Sequence, residues 1–128
     1  MTYCHWRYEL RNISKIKHAK FSLQNGLCFY CRQPMWRRNH ERFAEQYAIS
    51  LNQARYFQAT AEHLVARSDG GLDVAENIVA ACWYCNNHRH RAKQALSPDR
   101  YARKVVARLR RGKWHGFLAQ STPFHQSS

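Results

Sequence analysis

The stretch Ala61–Gly71, AEHLVARSDGG, sets a carboxylate, Glu62, directly beside an imidazole, His63, and follows both with a loop built on Gly70 and Gly71. Neighbouring side chains on a strand point to opposite faces, so the pair straddles whatever surface that strand forms. A carboxylate holds a hard cation, and histidine, which ordinarily titrates near pH 6.5, accepts a proton from water at neutral pH. On either side of one site, these two types support metal-assisted acid–base chemistry. Asn77 and Asn86 add amide groups further along, and His90 lies one helical turn beyond Asn86, facing the same way. Each has a structural alternative: Asn77 as a strand-end cap, Asn86 as a helix N-cap, His90 as a solvated or phosphate-contacting ring on a basic helix.

Four of the five cysteines form two C-x-x-C pairs, Cys28–Cys31 in CFYC and Cys82–Cys85 in CWYC. In a reducing compartment, two such pairs in one small chain read as a tetrahedral thiolate site for structural zinc rather than as disulfides. Cys4 has no such partner and reads as a free thiol.

Lys and Arg number 21 against 8 Asp and Glu in 128 residues, a formal charge of +13 and a pI near 10.1. That length predicts one domain, with a core modest enough to benefit from a metal. The charge fits a polyanionic partner, nucleic acid first, with a merely solvated surface as the alternative. Ten of the 21 basic residues lie between Arg89 and Lys113, where Asp99 is the only acid. No apolar run approaches the roughly 18 residues of a membrane span. The opening MTYCHWRYELR has no apolar h-region, which predicts no secretory signal and a cytoplasmic location.

The elements that must position these residues follow from periodicity and breakers. Residues 12–24 predict a helix with Ile13, Ile16 and Leu23 on its apolar side and Gly26 to end it. LCFYCRQP predicts a zinc knuckle closing on Pro34. From about 38 to 58 there is no Pro or Gly, and Phe43, Tyr47, Leu51 and Ala54 recur at helical spacing, which predicts one long helix. ATAEHLVA and ENIVAAC predict short strands joined by the RSDGGLD loop, and CNNHRHRAKQAL a helix opening at the second cysteine pair. Ser97-Pro98 starts a last helix, to about 111, with Tyr101, Ala102, Val105, Val106 and Leu109 on one side and the basic residues on the other. The tail, 114–128, is either loosely held or docked through Trp114 and Phe117.

Strand, glycine loop, strand and helix, tied by two knuckles, resemble the HNH endonucleases, the ββα-metal or His-Me finger nucleases. The resemblance rests on EHLVARSDGGLDVAENIVAACWYCNNHR: an acid–His pair, a Ser-x-Gly-Gly loop, Asn-Ile, then C-x-x-C followed by Asn and a basic residue. It covers about 27–96 and implies an α+β fold, a small treble-clef-like ββα-metal core flanked by helices. The segment of about 38–58 then reads as a helical insertion that packs, binds DNA or dimerises. By the same resemblance His63 is the general base, Asn77 holds that base in orientation, Glu62 and Asn86 are ligands of a catalytic metal, and Arg89 contacts phosphate. Colicin-type DNases of the family carry a ligand His where His90 stands. Oxygen donors favour Mg²⁺ or Mn²⁺, and a nitrogen from His90 favours Ni²⁺, Co²⁺ or Zn²⁺.

Arg67, Arg91, Arg103 and Lys104 read as further phosphate contacts, which position a strand without reading sequence. Two departures stand out: Glu62 where the family commonly has Asp, and Ala66 where a proline is usual. The leading expectation is thus metal-dependent hydrolysis of double-stranded DNA, by a monomer or a homodimer. A zinc-stabilised nucleic-acid-binding module that never cuts, and an RNA-directed nuclease, stay open as alternatives.

Overall fold

A computed structural model of the protein describes residues 2–119, with side chains described from Asn12 onward. Cys4 and the end of the tail, 120–128, lie outside the described residues and side chains. In chain order the elements are α1 (Thr2–Leu23), α2 (His40–Tyr47), α3 (Leu51–Ala54), β1 (Ala59–His63), β2 (Ile78–Cys82), α4 (Trp83–Arg89) and α5 (Pro98–Arg110). β1 and β2 form a two-stranded antiparallel sheet in which Glu62 faces Val79 across the ladder and His63 faces Ile78. The architecture is a small α+β fold of the ββα type.

An isolated two-stranded hairpin is marginal in water, and here both of its edges are closed. Outside β2, the Gln24 amide accepts from Ala80 N at 3.0 Å and donates to Ala80 O at 2.8 Å, and Phe29 N donates to the same carbonyl at 3.0 Å. Along β1, Ala59 N donates to Trp36 O, while Ala61 O and His63 O accept from the side chains of Asn86 and Arg89. The core lies beneath this sheet. It joins the four cysteines to Phe43, Phe57 and Phe117, and to Tyr101, Val105 and Leu109 from the apolar side of α5. Phe57 and Phe117 meet edge to face at 4.9 Å, as do Tyr30 and Tyr101 at 4.8 Å.

Three expectations about elements change. The first helix begins at Thr2 rather than near 12, and it buries Ile16 but leaves Leu23 exposed. The long helix expected over 38–58 is two helices. Asn39 caps α2 through Arg42 N, Ala48 turns left-handed at φ 54°, and Ser50 caps α3 through Gln53 N, leaving Leu51 51% exposed. Two good N-caps eleven residues apart outweigh the apolar spacing. The helix after the second cysteine pair stops at Arg89 instead of running on towards Leu96, because Arg89 itself turns back to bond the Leu96 carbonyl.

Of the two alternatives for the tail, residues 114–119 dock. Trp114 Nε1 donates to Cys85 Sγ at 3.3 Å, Phe117 is buried, and Ala119 N donates to Gln33 Oε1 at 2.7 Å. Docking also buries His115, whose Nδ1 accepts from Phe117 N while its Nε2 has no partner. Burial holds this imidazole down to about 4, against a weaker upward pull from Cys28.

Between about pH 6.5 and pH 4 the unfolded chain therefore takes up a proton that the folded protein refuses. Stability is fully present above that window and falls on acidification through it, by about 3 kcal/mol from this ring. His115→Leu is expected to flatten that part of the pH dependence in urea melts run at stepped pH; an unchanged acid limb would refute the assignment.

Candidate active site

Cysteine pairing across the fold comes first. The knuckle, closed by the bridge between Leu27 and Pro34, presents Cys28 and Cys31; the end of β2 and the first turn of α4 present Cys82 and Cys85. All four are buried, and their sulfurs lie within 4.8 Å of one another. Tyr30 N and Cys82 N point at Cys28 Sγ, and Cys85 N at Cys82 Sγ, at 3.3–3.4 Å. Burial pushes the thiols of Cys31, Cys82 and Cys85 up. At Cys28 the hydrogen bonds from the other three overcome burial and hold it well below the usual thiol range. Four buried sulfurs this close resist ionising together, and a thiophilic ion at their centre is what would let all four do so. The donor set fits a structural metal.

Three matched pairs of residues run between β1 and α4. Trp83 N donates to Gln58 O at 2.9 Å, Asn86 Nδ2 to Thr60 Oγ1 at 3.0 Å, and His90 Nε2 bonds Glu62 Oε1 at 2.8 Å. The spacings, i to i+2 to i+4 on the strand and i to i+3 to i+7 on the helix, each define one face. Glu62, Asn86 and His90 are therefore brought together, and with His63 they line one cleft of about 300 Å³. Asn86 spends its NH₂ group on Thr60 and on Ala61 O and directs no bond through Oδ1 to any described residue. This amide oxygen is the donor left open in the cleft; Glu62 Oε1 and His90 Nε2 are spent on each other, and a cation there would take the place of the proton between them. The cysteine quartet is the only group of three or more Cys, His, Asp or Glu donors assembled among the described residues.

Glu62 is 1% exposed, and a buried carboxylate needs partners. Its Oε2 accepts from Tyr30 Oη at 2.8 Å and from Arg89 Nη1 at 3.1 Å. Burial, then the charge of Glu62, pushes the Tyr30 hydroxyl far up, so it stays a donor. Arg89 corrects the expectation of a phosphate contact. It is 5% exposed, and besides Glu62 it donates to the carbonyls of His63, Leu64 and Leu96. No free edge of its guanidinium faces solvent. Arg67, Arg91, Arg103 and Lys104 are exposed, and Arg67 bonds Asp73 through Nε and Nη2, both at 3.1 Å.

Asp73 is the residue that sequence reasoning missed. Its Oδ1 lies 2.7 Å from His63 Nε2. The hydrogen bond with His63, and after it the Arg67 pair, hold the Asp73 carboxyl below the usual range against a counteracting push from partial burial. An ionised carboxylate only accepts, so Nε2 carries the proton and the lone pair of a neutral His63 sits on Nδ1. The signal available was the acid closing the GGLD loop, ten residues after the imidazole.

Asn77 sets that loop. Its Oδ1 accepts from Val65 N at 2.8 Å, and its Nδ2 donates to Val65 O and Leu72 O, each at 3.0 Å. It touches backbone on both sides of the loop, not the imidazole. Gly70 takes φ 88°, and a Cβ on Gly71 would lie 1.7 Å from Val65 O. The two glycines are thus required for different reasons, a left-handed turn and a close backbone approach.

Residues 51–92 match the family model described as HNH endonuclease. No curated protein and no solved structure matches the chain. No helix among the described residues is long and apolar enough to cross a membrane. The hairpin, glycine loop and helix thus lie in order within the stretch that matches the HNH endonuclease model, and four cysteines positioned to bind a metal ion tie that stretch to the preceding knuckle.

Proposed function

We propose that the protein is a metal-dependent endonuclease that hydrolyses phosphodiester bonds of double-stranded DNA, with zinc in the cysteine quartet as a structural ion. The observation that carries this reading is the 2.7 Å bond between His63 and Asp73, on the rim of the cleft that also takes in Glu62, Asn86 and His90. It leaves one ring nitrogen as a base beside a set of oxygen and nitrogen donors.

A divalent cation, when bound, supplies neutralisation of the charge that grows on the phosphate and its leaving oxygen. Glu62 and Asn86 would hold it, with His90 as third donor once the ion displaces the proton that His90 shares with Glu62. Oxygen donors suit Mg²⁺ or Mn²⁺, and the ring of His90 extends the range to Ni²⁺. His63 takes the proton of the attacking water at Nδ1. Asp73 keeps the ring in the required tautomer and offsets the positive charge that the ring then carries. Tyr30 and Arg89 fix the orientation of Glu62, and Asn77 fixes the loop that delivers Asp73.

Exposed Arg91, Arg103 and Lys104 supply the phosphate contacts that hold the duplex, and Arg67 adds its remaining face. Such binding weakens steeply with salt. The testing experiment is digestion of supercoiled plasmid by protein that retains its structural zinc, with Mg²⁺, Mn²⁺ or Ni²⁺ added singly, against the same protein with none. Nicking that depends on the added ion is expected. Plasmid retained intact under every ion while duplex binding persists would leave a binding module in its place.

A further inference from the structure

At the other end of the β1–α4 seam, the Gln58–Trp83 pair borders a hollow of about 690 Å³. Trp36, His40, Arg55, Tyr56, Gln58 and Trp83 line it, and no carboxylate is among its lining residues. Large aromatic surfaces are left open there: Trp83 is 39% exposed and Tyr56 36%. Their rings lie nearly parallel, 12° apart with centroids at 6.2 Å. Trp36 is fixed behind them by its Nε1 bond to Ala54 O at 2.7 Å and by its pairing beside Gln58. The two rings border the same hollow as the exposed residue Arg55.

We propose that this hollow is a subsite for an unpaired nucleobase of the bound strand, stacked on Trp83 and Tyr56 while Arg55 takes the adjacent phosphate. The proposal rests on the nuclease reading for its partner, a nucleic acid. Sequence-tolerant stacking on aromatic faces beside a positive charge is how single strands are held, because every base has a π-face. The hollow and the candidate cleft lie along one line of contacts: Trp83 and Asn86 of α4 and His90 at its C-terminal end meet Gln58, Thr60 and Glu62 in turn. From Gln58 to His63 is five residue steps, about 17 Å of strand. At about 3.4 Å per nucleotide of a helical strand, that is about five steps from the phosphate to be cut. A strand frayed at that distance, or a nick being enlarged, would place a base there.

The test uses the full chain carrying His63→Ala, so that no strand is cut, titrated with 12-nucleotide single strands of DNA or RNA and followed by tryptophan fluorescence. Trp83→Ala is expected to weaken single-strand binding at least about fivefold, with duplex binding changed less than about twofold, while Trp83→Phe stays close to the parent. A strand of abasic sugars, which keeps its phosphates, should bind the parent as weakly as the normal strand binds Trp83→Ala, and should be indifferent to that substitution. Equal affinity of the Trp83→Ala protein for the normal strand, or equal losses on normal and abasic strands, overturns the subsite. The ratio between DNA and RNA arms tells which strand supplies the base. A wild-type protein that fails to nick plasmid but keeps the stacking signature loses the reaction and retains the subsite.

Discussion

Cys31→Ser is expected to abolish the cooperative fold. Cys31 is fully buried among the other three cysteines, and the quartet is what joins the knuckle to the end of β2 and the start of α4. Structural zinc in small domains contributes about 10–16 kcal/mol of apparent binding energy, against a net stability of only about 5–15 kcal/mol for a whole domain. Losing one thiolate ligand therefore removes more than the fold can spare. Serine also leaves a small polar group among the buried thiols.

The measurement is thermal unfolding by circular dichroism together with the zinc content of the purified protein. Near-stoichiometric zinc is expected in the wild type, and no cooperative transition in the variant. A variant that melts within a few degrees of wild type, or a wild type that melts normally after chelation, would show that the hydrophobic core suffices alone. Cys4, far along the chain from both pairs, serves as the internal control: Cys4→Ser should change neither the zinc content nor the melt.

His63→Ala should lower the rate of plasmid nicking by about 10²–10⁴-fold at saturating metal, the range for removing a positioned general base. Duplex affinity should hold, because most of the exposed basic residues proposed to supply it, Arg91 and those along α5, do not line the cleft with His63. Asp73→Asn separates the two halves of the proposed dyad. The amide oxygen can still accept from Nε2, so the tautomer survives while the compensating charge is lost, and a drop smaller than that of His63→Ala is expected. Asp73→Ala loses both and should fall further. If His63→Ala nicks at the wild-type rate, the base is elsewhere and the reading of the cleft fails; if only the two Asp73 variants match wild type, the imidazole acts without its carboxylate.

Some of this arrangement could be read from the residues alone. Two C-x-x-C pairs specify a quartet regardless of what separates them. The alternation of ATAEH and the Ser97-Pro98 start signal each depend on local geometry, so β1 and α5 were legible. Helical spacing also put Asn86 and His90 on one face, where they lie. What periodicity does not register is a contact that the folded chain brings from far away. Tyr30 meets Glu62 across 32 residues, and nothing in CFYC distinguishes a core tyrosine from one that donates to a buried acid. The resemblance assigns Arg89 to a phosphate, as the basic residue that follows the second cysteine pair, and its spacing carries no sign of burial. Its burial follows from that of Glu62, which the strand's sequence marks as a candidate ligand but not as a residue 1% exposed. The 38–58 segment misled for the opposite reason: an apolar repeat was visible, but the caps that interrupt it act locally and override it.

The closed edges of the hairpin have one more consequence. Strand margins left bare invite other chains to add to them. Here the margin along β1 is hemmed partly by Asn86, which lines the candidate cleft, and by Arg89, which holds the carboxylate of Glu62 within it. Chemistry and solubility thus share residues: a change that retunes the cleft at either position also uncovers a peptide carbonyl, so this stretch of the protein is free to vary only where both demands are met at once.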